Sequence, residues 1–480
     1  MPLIIGAKSA SAATGVANSC RFNSADTPSI TKDNGTPSSE TTGTISFWLK
    51  RCILSVGDEF VLDGRIDANN RFKFAFNSSD IMEFWNSNGG SDDLALISNR
   101  KFRDVSAWYH FVIRIDTTQS TAADRVRVYV NGVNEADVGG YSTETYPAQD
   151  STDTVFFEDS AKQTVGAYYN GSAFTYPYDG YLAEVVYCDG QSLAPTEFGE
   201  FDEDSPTIWK PKDVSGLTFG NNGFYLDFED SADLGADVSG NSNDLTVVNL
   251  DATDQATDTP TNNFAVMNPL SKDEMTFSEG NCKVVTASDP RTDDNARGTM
   301  GVSSGKWYWE VKGSGGTNPV VAGICFDKLK MGSDLSGLTG VYAIQNAGAT
   351  YAYKRENGTT AETTGFPNPV NDNIINVAFD ADNAKLYIGI NGTYYNQAGS
   401  TGDPAAGSNE TFSSIDTSYF WLPFIESRGA SQLAEMNFGG CPAFTVSSGN
   451  ADGNGYGNFE YAVPSGYYAL CTKNLGAYGG

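Results

Sequence analysis

At 480 residues the chain is longer than one hydrophobic core usually serves, so two or three domains are expected. Thirty Lys and Arg against 60 Asp and Glu give a formal charge of −30, which argues against a polyanion such as DNA, or an acidic membrane surface, as partner. The 51 Gly and 12% aromatic residues, with few runs of strong helix formers, point to many short strands joined by turns, an all-β protein.

The seven cysteines (Cys20, Cys52, Cys188, Cys282, Cys325, Cys441, Cys471) are scattered, odd in number and contain no CxxC. Neither a disulfide framework nor a zinc site is indicated, and buried reduced thiols are expected. Residues 1–23 lack the basic start and apolar core of a signal peptide, and no stretch has the length of a membrane span. Synthesis and assembly in a cytoplasm are expected.

Residues 1 to about 40 are rich in Ser, Ala, Thr, Asn and Gly and read as an extended arm or first strand. From Ile45 strands follow in series: Ile45–Lys50, Glu59–Leu62, Arg71–Phe76, Trp108–Asp116, Arg125–Val130, Thr164–Tyr168 and Tyr181–Tyr187. Phe72, Phe74 and Phe76 share one face of their strand, as do Val126, Val128 and Val130 of theirs. Asn131-Gly132 supplies the positive φ of a tight hairpin. Ile45-Ser46-Phe47-Trp48-Leu49, Trp108-Tyr109-His110-Phe111-Val112 and Val128-Tyr129-Val130-Asn131-Gly132 resemble strands of a laminin-G-like, concanavalin A-type jelly roll. Asp179–Val185 followed by Leu193–Phe198 is similar to that family's closing strand and short helix, so the resemblance implies a jelly roll over residues 1–201.

Residues 202–270 are acidic and rich in Asn and Gly, a connector with a strand pair. Within it, Phe224–Phe228 and Asp237–Asp244 resemble the first strand and turn of a further laminin-G-like unit. From 271 to 480 a second sandwich is expected, centred on Lys306-Trp307-Tyr308-Trp309-Glu310-Val311-Lys312. Trp307, Trp309 and Val311 alternate with polar neighbours, the pattern of a half-buried strand. Further runs are Val320–Phe326, Gly340–Ile344, Thr350–Lys354, Ile374–Asp380, Lys385–Ile390, Phe420–Ile425 and Ala434–Phe438, with Tyr461–Leu470 as a last strand. Gly305–Val311, Val321-Ala322-Gly323-Ile324, Asn371–Asp380, Lys385–Ile388 with Asn391-Gly392, and Leu422–Ile425 with Asn437-Phe438-Gly439 together resemble a SPRY (B30.2-like) domain. The fold class is therefore two antiparallel β-sandwiches, jelly roll plus SPRY-like, joined by a connector.

One histidine exists, His110, so any Ser-His-Asp or Cys-His mechanism must pass through it, and its mid-strand position favours packing. The E-x-D-x-x-E strand of concanavalin A-type glycosidases is absent: Ser78-Ser79-Asp80-Ile81-Met82-Glu83 lacks the first carboxylate, and Glu197, Glu200, Asp202, Glu203 and Asp204 have the wrong spacing. No catalytic residue is assigned. No cofactor is required; Asp237, Asn241 and Asp244, with Ser239 and Asn243, offer oxygens to a Ca²⁺ ion, and a polar Asx turn explains the same residues. The loop-like stretch Phe84–Asp93 combines Trp85 with Asn86, Asn88 and Asp92, residue types that stack on and hydrogen-bond to a sugar ring; closing the end of the core is the competing role for Trp85.

Two recognition-type sandwiches without a catalytic set imply a non-enzymatic role. The order of domains resembles that of tailed-bacteriophage structural proteins. This resemblance implies a virion protein of the tail or an appendage, homo-oligomeric and assembled in the host cytoplasm, contacting host-surface glycan or other virion proteins. A capsid decoration protein and a polysaccharide depolymerase are the alternatives.

Overall fold

The computed structural model describes residues 15–286, 294–315, 321–332, 339–346, 352–363, 365–427 and 432–479. The chain divides into two compact units between Thr261 and Asn262. Each is an antiparallel β-sandwich, and helix among the described residues is confined to short segments.

In the first unit one sheet orders Val133–Asn134, Val126–Val130, Tyr109–Asp116, Thr42–Arg51, Gly180–Asp189, Ser19–Phe22 and Gln255–Ala256, with Phe224–Leu226 also paired to Gly180–Asp189. The facing sheet orders Tyr141–Thr145, Ser91–Lys101, Ile81–Asn88, Arg71–Phe76, Glu59–Arg65, Lys162–Val165, Ser29–Asp33 and Thr246–Val248. Alternation along each strand fills the space between them: Phe72, Phe74 and Phe76 meet Phe47, Phe111, Ile113, Val126 and Val128, all fully buried or nearly so. Phe47 meets Phe74 edge-on at 5.3 Å and stacks on Phe111 at 5.7 Å. Such pairs contribute about 1 kcal/mol each beyond the area they bury. Asn131 and Gly132 adopt φ of 50° and 78°, the left-handed pair that a two-residue hairpin requires.

The segment 202–270 is not a connector with a strand pair of its own, and it does not begin another laminin-G-like unit. Phe224–Leu226 joins Gly180–Asp189, Thr246–Val248 joins Ser29–Asp33, and Gln255–Ala256 joins Ser19–Phe22. The physical reason is an apolar sheet face that needs a cover. Alternation sends Phe111 and Ile113 into the core and leaves Val112 outside, where Val112, Val186 and Cys188 pack under Phe198, Val214 and Phe219. Phe224, Leu226, Phe228, Leu234 and Leu245 complete the main core. All seven cysteines are buried and the described residues hold no disulfide; burial pushes the thiols of Cys188, Cys325 and Cys471 up to about 12.

The second unit pairs a sheet of Met267–Lys272, Asp294–Gly298, Trp421–Ser427, Val321–Phe326, Val341–Asn346, Ala352–Glu356 and Thr359–Thr363 with one of Met275–Ser278, Lys283–Thr286, Leu433–Asn437, Lys306–Ser314, Ile374–Asp380, Lys385–Ile390 and Thr393–Tyr395. The runs behind the SPRY resemblance are strands in that order; Val320, Thr350 and Tyr351 lie outside the described residues. Of Tyr461–Leu470 only Tyr468–Ala469 pairs, parallel to Lys306–Ser314, and a helix Thr472–Tyr478 follows.

Lys306–Ser314 is not half-buried. Trp307, Trp309 and Val311 enter the core as the alternation requires, but Tyr308 on the opposite face is also buried, against Tyr387, Tyr394, Phe459 and Tyr467. The cover is the C-terminal segment, and Glu310 holds it. Its carboxylate, fully buried, accepts hydrogen bonds from Tyr308 Oη (2.7 Å), Asn437 Nδ2 (3.0 Å), Glu460 N (3.0 Å) and Tyr461 N (2.8 Å). Deleting the carboxylate removes the acceptor of Tyr308 Oη in the buried layer and of the part-buried Glu460 N and Tyr461 N, while Asn437 Nδ2 keeps Asn458 O. Glu310→Ala is expected to cost about 3–5 kcal/mol in denaturant unfolding and to raise amide exchange at residues 459–469 selectively. Unchanged exchange there would show that the segment is held by its rings alone.

Candidate functional site

The stretch Phe84–Asp93 is not a loop. Ile81–Asn88 and Ser91–Lys101 form a hairpin turned at Gly89-Gly90, whose φ values of 57° and 82° suit glycine. Alternation therefore separates the four residues first grouped as a ligand set. Asn86 points inward and is buried, donating to Asp93 Oδ1 and Asp153 O (both 2.8 Å) and accepting from Val155 N at 3.0 Å, so it ties a loop instead of facing a ligand. Asn88 and Asp92 lie at the hairpin end, with Asp92 taking a hydrogen bond from Ser87. Trp85 alone lies on the outer face of the sheet, half-buried and outside the core cluster, so it does not close the core.

Around Trp85 the structure assembles a group that spacing in sequence does not show. The register Thr164, Asp63, Lys73, Trp85, Ala95 runs straight across five strands. Because Phe72, Phe74 and Phe76 face the core, Arg71 and Lys73 must face outward. The Arg71 guanidinium lies 4.1 Å from the Tyr168 ring centroid and 5.4 Å from that of Trp85. Lys73 Nζ lies 5.7 Å from the Trp85 ring and 5.0 Å from that of Phe60, which stacks on Tyr168 at 5.1 Å. Cations over ring faces are held by the ring quadrupole. Tyr176, 55% exposed, extends this row at 6.1 Å from both Phe60 and Tyr168.

The charges differ in how far they are satisfied. Lys73 is fully engaged, with Asp58 at 2.8 Å and Glu83 at 2.7 Å. Arg71 Nε and Asp63 Oδ1 are buried without a hydrogen-bond partner, and Arg71 Nη2 stands 3.8 Å from Asp63 Oδ1. Asp63 Oδ2 accepts from Tyr169 N at 3.1 Å. Burial, opposed by that hydrogen bond and by Arg71 and Arg65, pushes the Asp63 carboxyl up to about 8. A row of rings beside a guanidinium that is partly exposed can stack on a flat ligand and donate hydrogen bonds to it, with the buried Asp63 carboxyl beneath.

Other candidates are occupied by structure. Trp209 Nε1 donates to His110 Nδ1 at 2.9 Å; an indole N–H can only donate, so the imidazole proton sits on Nε2, 2.8 Å from Ser46 Oγ. The ring stacks on Trp48 at 4.5 Å, and burial pushes its pKa down to about 3. His110 is a neutral packing residue. Asp80 is taken up by Arg51 Nη1 (3.2 Å) and Ser55 N (2.7 Å), and Glu83 by Lys73, so the two are not a catalytic pair. Asp237 does not fit a calcium shell: Oδ1 accepts from Tyr225 N and Ser239 N, and Oδ2 from Ser239 Oγ and Asn243 N, which fills its lone-pair positions. Asp244 Oδ1 accepts from Asp237 N, and Asn241 Nδ2 donates to Gly220 O and Gly223 O. This is an Asx turn docking one loop on another, and no group of three or more metal-ligating side chains occurs among the described residues.

The family model of the concanavalin A-like lectin/glucanases superfamily matches residues 23–191, which include the strands around Trp85. No curated protein matches the chain. Among solved structures, the SPRY domain of human HERC1 is 14% identical with a TM-score of 0.28, covering 35% of this chain and 96% of that one. A heptameric SAP-like pentraxin from Limulus polyphemus is 13% identical (TM-score 0.28; 38% of this chain, 80% of that one). A Bacteroides ovatus protein described as carbohydrate binding is 12% identical (TM-score 0.31; 49% and 60%). Similarities this low carry no argument about the chain, whose fold rests on the strand pairings above.

Asp63 gives the site a pH signature. Its folded pKa lies above the ordinary aspartate value of about 3.9, so between that value and about 8 the folded state holds a proton that the unfolded state releases. The stabilisation is complete below about pH 4 and is lost as pH rises towards 8. Asp63→Asn, neutral throughout, keeps the acceptor for Tyr169 N. Relative to this variant, the thermal midpoint of the wild type is expected to fall by on the order of 5 °C between pH 5 and pH 8. Parallel pH profiles would mean that Arg71 and Arg65 keep Asp63 ionised.

Proposed function

We propose that the chain is a non-catalytic attachment protein that binds surface glycan on the outer face around Trp85, Arg71 and Tyr168. The observation that carries this reading is the guanidinium held between two rings on the outer face of the sheet, with its side chain 18% exposed. Rings supply the stacking surface for the apolar side of a sugar, and Arg71 supplies donors for its hydroxyl or carboxylate oxygens. The match of residues 23–191 to a superfamily that includes lectins supports the same reading. From the resemblance of the domain order to tailed-bacteriophage proteins we further infer an oligomeric virion protein of the tail or an appendage, assembled in the host cytoplasm. Repetition on a particle would let weak single sites hold firmly.

The test is binding of the purified protein to host cells and to their extracted surface polysaccharide. Wild type is expected to bind saturably, and Trp85→Ala to lose about tenfold in affinity while remaining folded at the assay temperature, since Trp85 lies outside the core and only its contacts with Arg71 and Lys73 are lost. Release of reducing ends would turn the assignment to a depolymerase. Binding to capsids, with no binding to cells or polysaccharide, would turn it to a decoration protein.

A further inference from the structure

The second unit contains a cavity of about 250 Å³ whose walls are chemically unlike the Trp85 face. Phe326, Tyr342, Tyr419 and Trp421 form its aromatic lining, and Asp416 and Asn357 contribute polar groups. The rings stand at steep angles to one another. Phe326 meets Tyr419 at 90° and 5.6 Å, Tyr342 meets Trp421 at 59° and 5.3 Å, and Phe326 lies 6.3 Å from Trp421. Each ring is fixed by its neighbours. Trp421 Nε1 donates to Asp416 O at 2.9 Å, and Gly340, with φ of 87°, leaves room for Phe326, since a Cβ there would fall 2.1 Å from Cδ1 of that ring.

Three features narrow the ligand. A flat sugar ring needs a broad exposed ring face, whereas Trp421 and Tyr342 are only 3% and 5% exposed and the more open walls meet at a right angle. An anion is disfavoured, because no Lys or Arg lines the cavity and the exposed Asp416 carboxyl is held below its usual range by hydrogen bonds from Ser418. A cation already uses one wall: Lys328 Nζ lies 4.7 Å from the Tyr419 ring centroid. We propose that this cavity binds a compact organic cation, a quaternary or methylated ammonium group, held between the more open rings of Phe326 and Tyr419 and neutralised by Asp416.

The experiment is calorimetric titration of the whole protein with choline chloride at constant ionic strength, compared with the neutral isostere in which carbon replaces the quaternary nitrogen. Choline is expected to bind saturably, and the isostere at least about tenfold more weakly. Asp416→Asn retains the acceptor for Ser418 N and the backbone carbonyl for Trp421, so the pocket keeps its shape; a loss of severalfold in choline affinity is expected. Tyr419→Leu is expected to lose about tenfold. An unchanged thermal midpoint in each variant shows that the loss is not unfolding. Absence of saturable choline binding, equal binding of the neutral isostere, or indifference to both substitutions overturns the proposal.

Discussion

The two-residue period of the strand Arg71–Phe76 is the constraint on which the candidate site depends. Three phenylalanines commit one side of this strand to the core, where Phe72 packs on Phe84 and Phe156, and Phe74 on Phe47 and Phe111. A slip of one residue would bury two cations and expose three rings, a difference large enough to fix the register absolutely. Arg71 and Lys73 are consequently held on the outer face, and the same alternation in the next strand puts Trp85 opposite Lys73. The site is the reverse side of the core, and its geometry is as rigid as the core makes it.

Coverage decides which sheet faces remain for ligands. In the first unit the back of the sheet containing His110 is roofed by Trp209, Phe198, Val214 and Phe219, and a neutral imidazole bonded at both nitrogens satisfies the polar groups beneath. In the second unit the back of Lys306–Ser314 is roofed by the segment containing Phe459 and Tyr467, and Glu310 plays the equivalent part with four accepted hydrogen bonds. In both places a polar side chain on the outward side of a strand is a tie for a third layer, because burying it unbonded would cost several kcal/mol. Unbonded buried polar atoms occur on both kinds of face, at Tyr387 Oη and Tyr467 Oη under the second unit's roof and at Arg71 Nε and Asp63 Oδ1 near Trp85, so what sets the Trp85 face apart is that its incompletely bonded groups are a guanidinium and a carboxyl.

Much of the fold was legible in the sequence where period and turn chemistry agree. Phe72, Phe74 and Phe76, the valines of Val126–Val130, and the Asn-Gly turns at Asn131 and Asn391 all stand where alternation and positive φ require. Two kinds of information were not legible. Polar strands with glycine at the turn, such as Ile81–Asn88, resemble a loop in composition, and only the alternation of Met82, Phe84 and Asn86 against Glu83, Trp85 and Ser87 reveals the strand that moves Asn86 inside. Long-range contact was the other: Tyr168 and Phe60 reach Arg71 and Lys73 from other parts of the chain, and 202–261 joins existing sheets through strands of two or three residues, too short for any periodic signal. Asp237, Asn241 and Asp244 had the composition of a cation site, but their oxygens and amides are consumed by backbone groups that only the folded loop brings near.

Aromatic rings serve two opposite electrostatic purposes in this chain, and charge placement separates them. Around Trp85 the ring faces already carry a guanidinium and an ammonium, so the quadrupole is satisfied from within and the unsatisfied valence belongs to the cation: Arg71 seeks an oxygen. In the cavity of the second unit no Lys or Arg is among the lining residues, Lys328 touches the Tyr419 ring from beside it, and the Asp416 carboxylate adds negative charge, so the rings and the acid together can take a further cation. A hydroxyl- or carboxylate-bearing sugar fits the first arrangement and would meet only like charge or buried rings in the second. An ammonium group fits the second and would be repelled by Arg71 in the first. In a chain with a net charge of −30, the overall field draws cations everywhere, so selectivity must come from these local arrangements and not from the acidic surface.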